Sequence, residues 1–435
     1  MNKKLSVRLY GKEVGFLEQS ISGKMKFTYN DDNNIAVSYS LPVSKKYFSD
    51  EECRQFFHQL LPNANNIRKS LCKVLGIKSN DDFALLQAIG RDCAGAISFH
   101  DLEEPVKAEE YIKLEYTPLT DNKLKRYIKE LSTRPLFIQA DNDVKVSLAG
   151  YQSKSAVIFI NGTVCLPKNS APTTHILKAE TKKDCGFNTI NEYVCMKAAK
   201  KLNIDTCNVE IRKIGKMRYL IIERYDRKIK NNTVKKIHQE TFNQALAALY
   251  NRYKINCKQG ITTKKYIFNL FNNLLDITAV PDVSRSVFMK KIIFNFIVGN
   301  NDLHGKQYKG GFHFLDYDYE FLYIDAKNFS LVYEGDETIL APAYDLSCVQ
   351  VYPEKNLTIK NSSIYKKIVT EKIFESLCEN LKYSYKNFVK EFCYIAQNLH
   401  YFIEQEKEFF NKQEQFFIDK ILEVIDRNSR LADYL

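Results

Sequence analysis

An Asn-Gly pair at positions 161 and 162 is the local feature that most constrains what this chain can fold into. Both positions of the tightest hairpin turn need positive φ, which Asn and Gly adopt at low cost. The runs on either side, residues 156–160 and 163–166, are rich in residues that favour strands. The sequence therefore predicts a β-hairpin here, and with it an antiparallel sheet.

The hairpin lies within a longer series of predicted elements. Alternating apolar positions predict strands at residues 144–148 and 174–178, and again at 209–214 and 218–223. Between the two pairs, apolar residues at helical spacing predict a helix over 191–202. Strand, hairpin, strand, helix and two strands is the order of a kinase-like nucleotide-binding lobe, so we expect an α+β, protein-kinase-like two-lobe fold.

The flanking regions complete a four-part organisation. Residues 1–40 alternate as in a small sheet, residues after Asp50 have helical spacing, and most of the chain after Arg227 has helical spacing too. We predict a β-rich N-terminal subdomain (1–101), a charged connector (102–143), a β-rich nucleotide-binding lobe (144–230) and a helical C-terminal lobe (231–435).

Composition limits the partners and the compartment. The net charge of +12 favours polyanions such as a nucleotide, an acidic protein surface or a nucleic acid, without choosing among them. The longest apolar runs, such as residues 292–298, are far shorter than the roughly 20 residues that span a bilayer, so we expect no membrane contact. Eleven cysteines without any C-x-x-C motif, and a start that turns polar by Arg8, predict reduced thiols and a cytoplasmic protein.

One tight loop could carry phosphoryl-transfer chemistry, which needs a carboxylate near the attacking hydroxyl, magnesium ligands and cations on the phosphates. Asp302, His304 and Lys306 follow a predicted buried helix, and the amide of Gln307 comes next. Such a triplet alone is usually a polar turn, so the loop by itself does not decide the function.

Two residues elsewhere complete the set. Asp345 follows the apolar run 340–344 and suits a principal metal ligand, although such a residue is often a turn former or a helix cap. Lys178 ends a predicted strand and could pair with phosphates, although such lysines usually extend into water. The candidate phosphate loop, residues 147–154, has one glycine and fails as G-x-G-x-x-G.

The order of these motifs resembles the HipA-like toxin kinases of bacterial toxin-antitoxin systems, and the resemblance runs nearly the whole length of the chain. The segments that carry it are residues 90–96, 147–155, 172–178, 191–193, 223–227, 238–240, 302–307 and 342–345.

The resemblance implies a serine/threonine protein kinase that uses ATP and Mg2+. Asp302 would be the catalytic carboxylate, with His304 and Lys306 steadying the loop and the transferring phosphate. Asp345 would hold magnesium, with Gln307 at the position of the second ligand. The implied nucleotide contacts are Ser147, Gly150, Gln152, Lys154, Lys178, Glu223, Tyr225, Asp226, Gln239 and Tyr344.

Within that set, Gly150, Gln152 and Lys154 would cover the phosphates and Lys178 would pair with the α and β oxygens. Glu223 and Tyr225 would present backbone groups to adenine, and Asp226 would lie near the ribose. Ser147 would be an autophosphorylation site, and its phosphate, with nearly two negative charges, would expel the loop and inactivate the enzyme.

The resemblance also implies partners: a protein substrate of translation, with an aminoacyl-tRNA synthetase as one candidate, and a small helix-turn-helix antitoxin. The chain has no recognisable helix-turn-helix of its own, so DNA would be reached only through that partner. The family ordinarily has asparagine where Gln307 stands, and the extra methylene displaces the oxygen while magnesium tolerates only near-octahedral contacts. The alternative function is therefore a nucleotide-binding pseudokinase that acts as a co-repressor with the antitoxin.

Overall fold

The N-terminal subdomain is an antiparallel sheet covered by helices. The computed structural model describes residues 3–77, 81–138, 144–150, 152–180, 186–247, 263–300, 326–352 and 363–435. The sheet has the order β4-β3-β2-β1-β5, and its strands are β1 (Lys3–Leu9), β2 (Lys12–Gln19), β3 (Met25–Tyr29), β4 (Tyr47–Phe48) and β5 (Ile97–His100). The helices are α1 (Asp50–Phe57), α2 (Asn65–Leu75) and α3 (Asp82–Ile89). The predicted β-rich opening followed by helices is confirmed.

Local sequence signals explain the ends of these elements. Tyr10 and Gly11 join β1 to β2 with φ of 52° and 78°, the left-handed region that a tight turn requires. Helix α1 begins with a capping box, in which the Glu52 carboxylate accepts from the backbone N–H of Ser49. The connector supplies β6 (Ile112–Lys113), β7 (Tyr116–Pro118) and α4 (Asp121–Glu130).

A six-stranded antiparallel sheet forms the centre of the molecule, in the order β11-β12-β10-β8-β9-β7. Its further strands are β8 (Lys154–Ile160), β9 (Thr163–Pro167), β10 (His175–Ala179), β11 (Val209–Ile214) and β12 (Met217–Glu223), and α5 (Asn188–Lys201) packs beside β11 and β12. Asn161 and Gly162 turn between β8 and β9 with φ of 49° and 76°, so the predicted hairpin is confirmed.

The predicted strand at residues 144–148 is wrong. This segment makes no ladder with the central sheet. Val146 forms an isolated parallel bridge with Asp92, and Gly150 forms another with Pro62. The alternating pattern places apolar side chains inward, but the backbone of the segment bonds to loops of the N-terminal subdomain.

The C-terminal lobe is helical but also contains short strands that its sequence pattern did not indicate. Three of them form the sheet β15-β16-β17, which leads directly towards Asp345. The strands of this lobe are β14 (Thr233–Lys236), β15 (His238–Thr241), β16 (Ser330–Glu334) and β17 (Glu337–Leu340), and β14 pairs with β13 (Arg227–Lys230) of the preceding lobe. The helices are α6 (Phe242–Ala245), α7 (Thr263–Asp276), α8 (Pro281–Val298), α9 (Ser363–Asn380), α10 (Tyr385–Lys407) and α11 (Lys412–Ser429).

Strand β12 lies between two hydrophobic cores. Leu220 and Ile222 contribute to the core of the helical lobe, whereas Tyr219 and Ile221 contribute to the core that continues from the N-terminal subdomain. This division follows from the alternation of side chains along a strand. The central sheet therefore joins the two halves of the protein, and a cleft opens at its edge. Among the described residues, no helix is long and apolar enough to cross a membrane.

Candidate active site

A cavity of about 730 Å³ lies where the central sheet, the N-terminal subdomain and the helical lobe meet. This volume falls in the range of small-molecule and cofactor sites. Its wall combines apolar side chains, such as Ile176 and Ile222, with charged groups at one end, including Lys154, Lys178 and Asp345. A pocket that combines apolar walls with a cluster of cations and carboxylates suits a nucleotide.

Lys178 on β10 is the centre of the charged end. Its Nζ donates to both carboxylate oxygens of Glu192 on α5, at 2.7 and 2.8 Å, and to Oδ1 of Asp345 at 2.5 Å. Burial by itself lowers the pKa of Lys178, but the two carboxylates outweigh it and hold that pKa above its ordinary value. A strand lysine paired with a helix glutamate is the arrangement that protein kinases use to hold the α- and β-phosphates.

Asp345 faces the cavity from the opposite lobe. Its side chain is 52% exposed, whereas those of Lys178 and Glu192 are each 6% exposed. The Lys178 ammonium lowers the pKa of Asp345 well below its usual range, so the carboxylate is ionised. Its backbone has φ of 58°, the left-handed region, and this conformation persists because hydrogen bonds fix the residues directly before it.

Those flanking hydrogen bonds come from several elements. Ala343 N–H donates to the carbonyl of Asp205 at 2.7 Å. The Tyr344 hydroxyl donates to the Lys327 carbonyl at 2.8 Å and lies 2.7 Å from the Ser330 hydroxyl. The position of Asp345 is thus set by its neighbours and does not depend on its own ion pair alone.

Lys154 provides a second cation beside Lys178. The two residues are paired across β8 and β10. Burial, followed by the like charge of Lys178, lowers the pKa of Lys154 to about 8. Two ammonium groups at one end of a cavity form a site for an anion such as a phosphate chain.

Tyr225 and Tyr344 form an aromatic wall of the same cavity. Their rings stack with centroids 5.7 Å apart and planes 19° apart. The Tyr225 hydroxyl donates to Oε1 of Gln239 at 2.8 Å. Glu223 ends β12 with its N–H bonded to the Asn208 carbonyl at 2.9 Å. The structure thus brings Glu223, Tyr225, Gln239 and Tyr344 to the same cavity.

Asp226 also lines the cavity, but its carboxylate is occupied by other partners. It accepts from Arg224 at 2.8 and 2.9 Å and from the Gly95 N–H at 2.6 Å. Burial raises the pKa of Asp226, but Arg224 and Arg227 outweigh it and lower that pKa. The Asp226 carboxylate therefore binds the N-terminal subdomain. The contact with the ribose that the resemblance implies for Asp226 stays a prediction.

Residues of the phosphate loop (147–154) are divided between the cavity and the interior. Leu148, Ala149 and Gly150 line the cavity. Ser147 is fully buried, and its hydroxyl donates to the Leu60 carbonyl at 2.6 Å. Gln152 is half-buried. The structure places the predicted phosphorylation site behind the cavity wall.

Four predicted residues, Asp302, His304, Lys306 and Gln307, lie outside the described residues. Their roles as catalytic group, loop supports and second metal ligand stay predictions.

Three residues that the sequence reasoning gave no role lie at the charged end. Glu192 holds Lys178, and Lys327 and Asn328 line the cavity on the short 3-10 helix Ala326–Asn328. Lys327 contributes to lowering the pKa of Asp345. For Lys327 and Asn328, the sequence signal is a lysine followed by an amide shortly before β16. The same pairing occurs at Lys306 and Gln307.

The donor set at this end fits magnesium. Within the described ranges no group of three His, Cys, Asp or Glu residues is arranged to enclose a metal ion. Magnesium does not need one, since it usually binds one or two carboxylates and takes its other ligands from waters and substrate phosphates. The half-exposed carboxylate of Asp345 meets that need, and Asn328 lines the same cavity.

The lysine–glutamate pair, the nucleotide-sized cavity and the exposed carboxylate define a phosphotransferase of the protein-kinase type. Residues 5–100 match the family model of the HipA N-terminal domain, and residues 146–314 match that of the HipA-like C-terminal domain. The chain belongs to the HipA family, and by class it is a protein kinase.

Individual relatives agree with this assignment. Y4mE of Sinorhizobium fredii, named as a kinase, is 34% identical over 357 residues, which cover 80% of this chain and 78% of Y4mE. The serine/threonine-protein kinase toxin HipA of Shewanella oneidensis is 28% identical over 291 residues, 63% of each chain. The predicted family and enzyme class are confirmed.

A solved structure gives the fold independently. The Shewanella oneidensis MR-1 toxin-antitoxin complex of HipA, HipB and operator DNA contains a chain that superposes with a TM-score of 0.74 at 20% identity. The match covers 98% of this chain and 96% of that chain. At this identity the likeness bears on the fold alone, and the predicted α+β two-lobe fold is confirmed.

Proposed function

We propose that this chain is an ATP- and Mg2+-dependent serine/threonine protein kinase that acts as a HipA-like toxin. The observation that carries the proposal is the double ion pair of Lys178 with Glu192 and Asp345. It brings a phosphate-binding cation and a metal-binding carboxylate to the mouth of one cavity, as phosphoryl transfer requires.

ATP would lie with its base against the aromatic wall and its phosphates at the charged end. Tyr225 and Tyr344 supply a stacked, apolar surface. Lys178 and Lys154 would bind the phosphate oxygens, and Gly150 would allow the loop backbone to approach them, since its φ of 115° is open to glycine alone. Glu223 and Asp226 remain our candidates for the base and the ribose.

Magnesium would be held by Asp345 together with one amide oxygen. When bound it neutralises charge on the phosphates. Gln307 is one candidate for the amide, and Asn328 is the second because it lines the same cavity as Asp345.

Asp302 would accept the proton of the attacking hydroxyl, with His304 and Lys306 supporting the loop. The acceptors would be a serine or threonine of a translation protein, with an aminoacyl-tRNA synthetase as one candidate, and Ser147 of the chain itself. If the amide ligand fails, the alternative is a pseudokinase that binds nucleotide and represses with an antitoxin.

The partner and the compartment follow from the relatives and the thiols. HipB and operator DNA are components of the Shewanella complex, so we expect a small helix-turn-helix antitoxin here, with DNA reached through it. Of the nine cysteines in the described ranges eight are buried, which supports a reducing, cytoplasmic location.

Autophosphorylation with labelled ATP tests the proposal. Wild type, Asp302→Asn and Asp345→Asn are incubated with Mg2+, and the labelled residue is identified by mass spectrometry. We expect label on the wild type alone, at Ser147. ATP binding without label, under Mg2+ or Mn2+, would favour the pseudokinase.

A further inference from the structure

The first part of the phosphate loop, residues 147–150, is held by the N-terminal subdomain, whereas Lys154 at its end belongs to the sheet that carries Lys178. Asn63, in the loop between the 3-10 helix His58–Leu60 and α2, binds both polar backbone groups of Gly150. The Asn63 N–H donates to the Gly150 carbonyl at 3.1 Å, and the Gly150 N–H donates to Oδ1 of Asn63 at 3.0 Å. One residue thus anchors the end of the segment that lines the cavity.

Two other anchors hold the start of the same segment. The Ser147 N–H donates to the Asp92 carbonyl at 3.0 Å, and the Asp92 N–H donates to the Lys145 carbonyl at 3.2 Å. The Ser147 hydroxyl donates to the Leu60 carbonyl, three residues before Asn63. Leu60 therefore binds Ser147, and Asn63 binds Gly150. Ser147 precedes the three loop residues that line the cavity, and Gly150 is the last of them.

We propose that Asn63 is a positioning residue of the nucleotide site. Its two hydrogen bonds with Gly150 set both the affinity for the nucleotide and the accessibility of the Ser147 hydroxyl to phosphorylation. The proposal rests on the proposed function, since it takes ATP as ligand and Ser147 as acceptor. Asn63 touches the loop backbone, so it acts through the orientation of residues 148–150.

The two effects follow from the same contacts. With Gly150 fixed, residues 148–150 present one surface to the phosphates, and no ordering is needed when ATP binds. For Ser147 to react, its Oγ must form a bond to the γ-phosphorus while the bond to the bridging oxygen of ADP breaks and the hydroxyl proton passes to Asp302. A hydroxyl that is fully buried and bonded to Leu60 cannot do this until the segment leaves its place.

The hydrogen bonds between Asn63 and Gly150 therefore oppose phosphorylation of Ser147 and favour the binding of ATP. Loss of one hydrogen bond of this kind changes an equilibrium roughly two- to tenfold. Removing the Asn63 side chain should release the loop by that factor without altering Lys178, Glu192 or Asp345.

Three variants test this in the full chain. Asn63→Ala removes the acceptor for the Gly150 N–H, and Asn63→Asp retains an oxygen at the same place. Asn34→Ala is the matched control, because Asn34 is an exposed asparagine of the same subdomain. Hydrogen exchange of the peptide spanning residues 144–150 is measured in nucleotide-free protein, so this readout is independent of catalysis.

We expect exchange in Asn63→Ala to be roughly two- to tenfold faster than in wild type, with protection restored in Asn63→Asp and unchanged in Asn34→Ala. The dissociation constant for a non-hydrolysable ATP analogue should rise by a similar factor. At saturating ATP, the initial rate of Ser147 labelling should rise.

Equal exchange and equal analogue affinity in wild type and Asn63→Ala would overturn the proposal, as would the same changes in Asn34→Ala. Slower Ser147 labelling at saturating ATP would overturn the part on access. If wild type binds no ATP analogue, the proposed function fails, while the exchange comparison still decides whether Asn63 holds the loop.

Discussion

Asn191 and Cys348 exchange two hydrogen bonds although 157 residues separate them. The Asn191 amide donates to the Cys348 carbonyl at 2.9 Å, and the Cys348 N–H donates to Oδ1 of Asn191 at 2.7 Å. Asn191 precedes Glu192 on α5, and Cys348 lies three residues after Asp345. The helix that holds Lys178 thus also holds the segment that contains Asp345.

Replacing Asn191 should therefore damage both stability and metal binding. Asn191 is 1% exposed, so Asn191→Ala leaves two buried backbone groups without their partner. We expect the free energy of unfolding to fall by about 2–3 kcal/mol and the magnesium concentration for half-maximal labelling to rise. Urea denaturation and a magnesium titration measure the two effects.

The control for this variant is Asn398→Ala on α10, since Asn398 is half-buried and its amide donates within its own helix, to the Tyr394 carbonyl at 2.8 Å. The free energy of unfolding of this control should lie within about 0.5 kcal/mol of the wild-type value. An Asn191→Ala protein as stable as this control would show that the two hydrogen bonds contribute little.

Lys154 should make ATP affinity depend on pH. Burial and the charge of Lys178 lower its pKa to about 8, so the ammonium deprotonates as pH rises through that value in the free protein. The neutral form attracts phosphates less, and we expect the ATP dissociation constant to increase between pH 7 and pH 9. Calorimetry across that range measures it.

Lys154→Arg is the matched comparison, because a guanidinium remains charged throughout the range. Its ATP affinity should be nearly constant from pH 7 to pH 9. A slope equal to that of wild type would assign the pH dependence to another group.

His238 should make the folded protein less stable in mild acid. It is buried between the two halves, with Nε2 3.0 Å from the Val37 carbonyl and Nδ1 facing the Ala96 N–H at 3.4 Å. This arrangement needs a neutral ring, which donates through Nε2 and accepts at Nδ1. Burial lowers the pKa of His238 to about 4, below its unfolded value.

Because the folded pKa is depressed, the neutral ring contributes stability above pH 6.5 that is lost as pH falls towards 4. The maximum loss is about 3 kcal/mol, at 1.36 kcal/mol for each pKa unit. In His238→Gln the unfolding free energy should be lower at pH 7 but should fall less between pH 7 and pH 5. Parallel curves for the two proteins would argue against His238 as the source.

Asn328 and Gln307 compete for one role, and a magnesium titration separates them. If Asn328 supplies the amide oxygen, Asn328→Ala should raise the magnesium requirement of Ser147 labelling by roughly tenfold or more, as for loss of one polar contact to a charged group. Gln307→Ala should then leave it within about twofold. The reverse result would return the role to Gln307.

Ser147→Asp tests the effect of charge on the buried hydroxyl. A carboxylate placed against the Leu60 carbonyl cannot donate the hydrogen bond that the Ser147 hydroxyl donates there, so the loop should leave its position and ATP affinity should fall by roughly tenfold or more. Ser147→Ala, which adds no charge, should bind ATP more like wild type. Equal affinity of Ser147→Asp and wild type would mean that the hydroxyl is an ordinary buried group.

The features that sequence predicted well are those whose causes are local. The hairpin at Asn161 and Gly162 needs only its turn residues and its flanking strand formers. The strand expected at residues 144–148 is wrong because the backbone of this segment bonds to Asp92, which is more than fifty residues away in the chain, and not to a strand of the central sheet.

Long-range pairing also explains what was missed in the site. Lys178 was identified from its place at the end of a strand, whereas Glu192 reads as an ordinary helix residue until α5 is seen beside β10. Lys327 and Asn328 were missed because the loop at 302–307 already supplied a lysine followed by an amide. The collinear order of motifs predicted the family, but the side chains that meet in the cavity depend on the packing of three parts of the chain.

The buried charges around Asp226 limit which parts of this protein can be exchanged for those of a relative. Asp92, from the N-terminal subdomain, accepts from Arg227 at 2.8 Å and lies 3.3 Å from Arg224, while Asp226 accepts the Gly95 N–H. Breaking a buried ion pair by removing one partner costs about 3–5 kcal/mol. The segments at residues 90–96 and 223–227 therefore depend on each other. A chimera that takes its N-terminal subdomain from a relative should fold stably only where both segments come from the same protein.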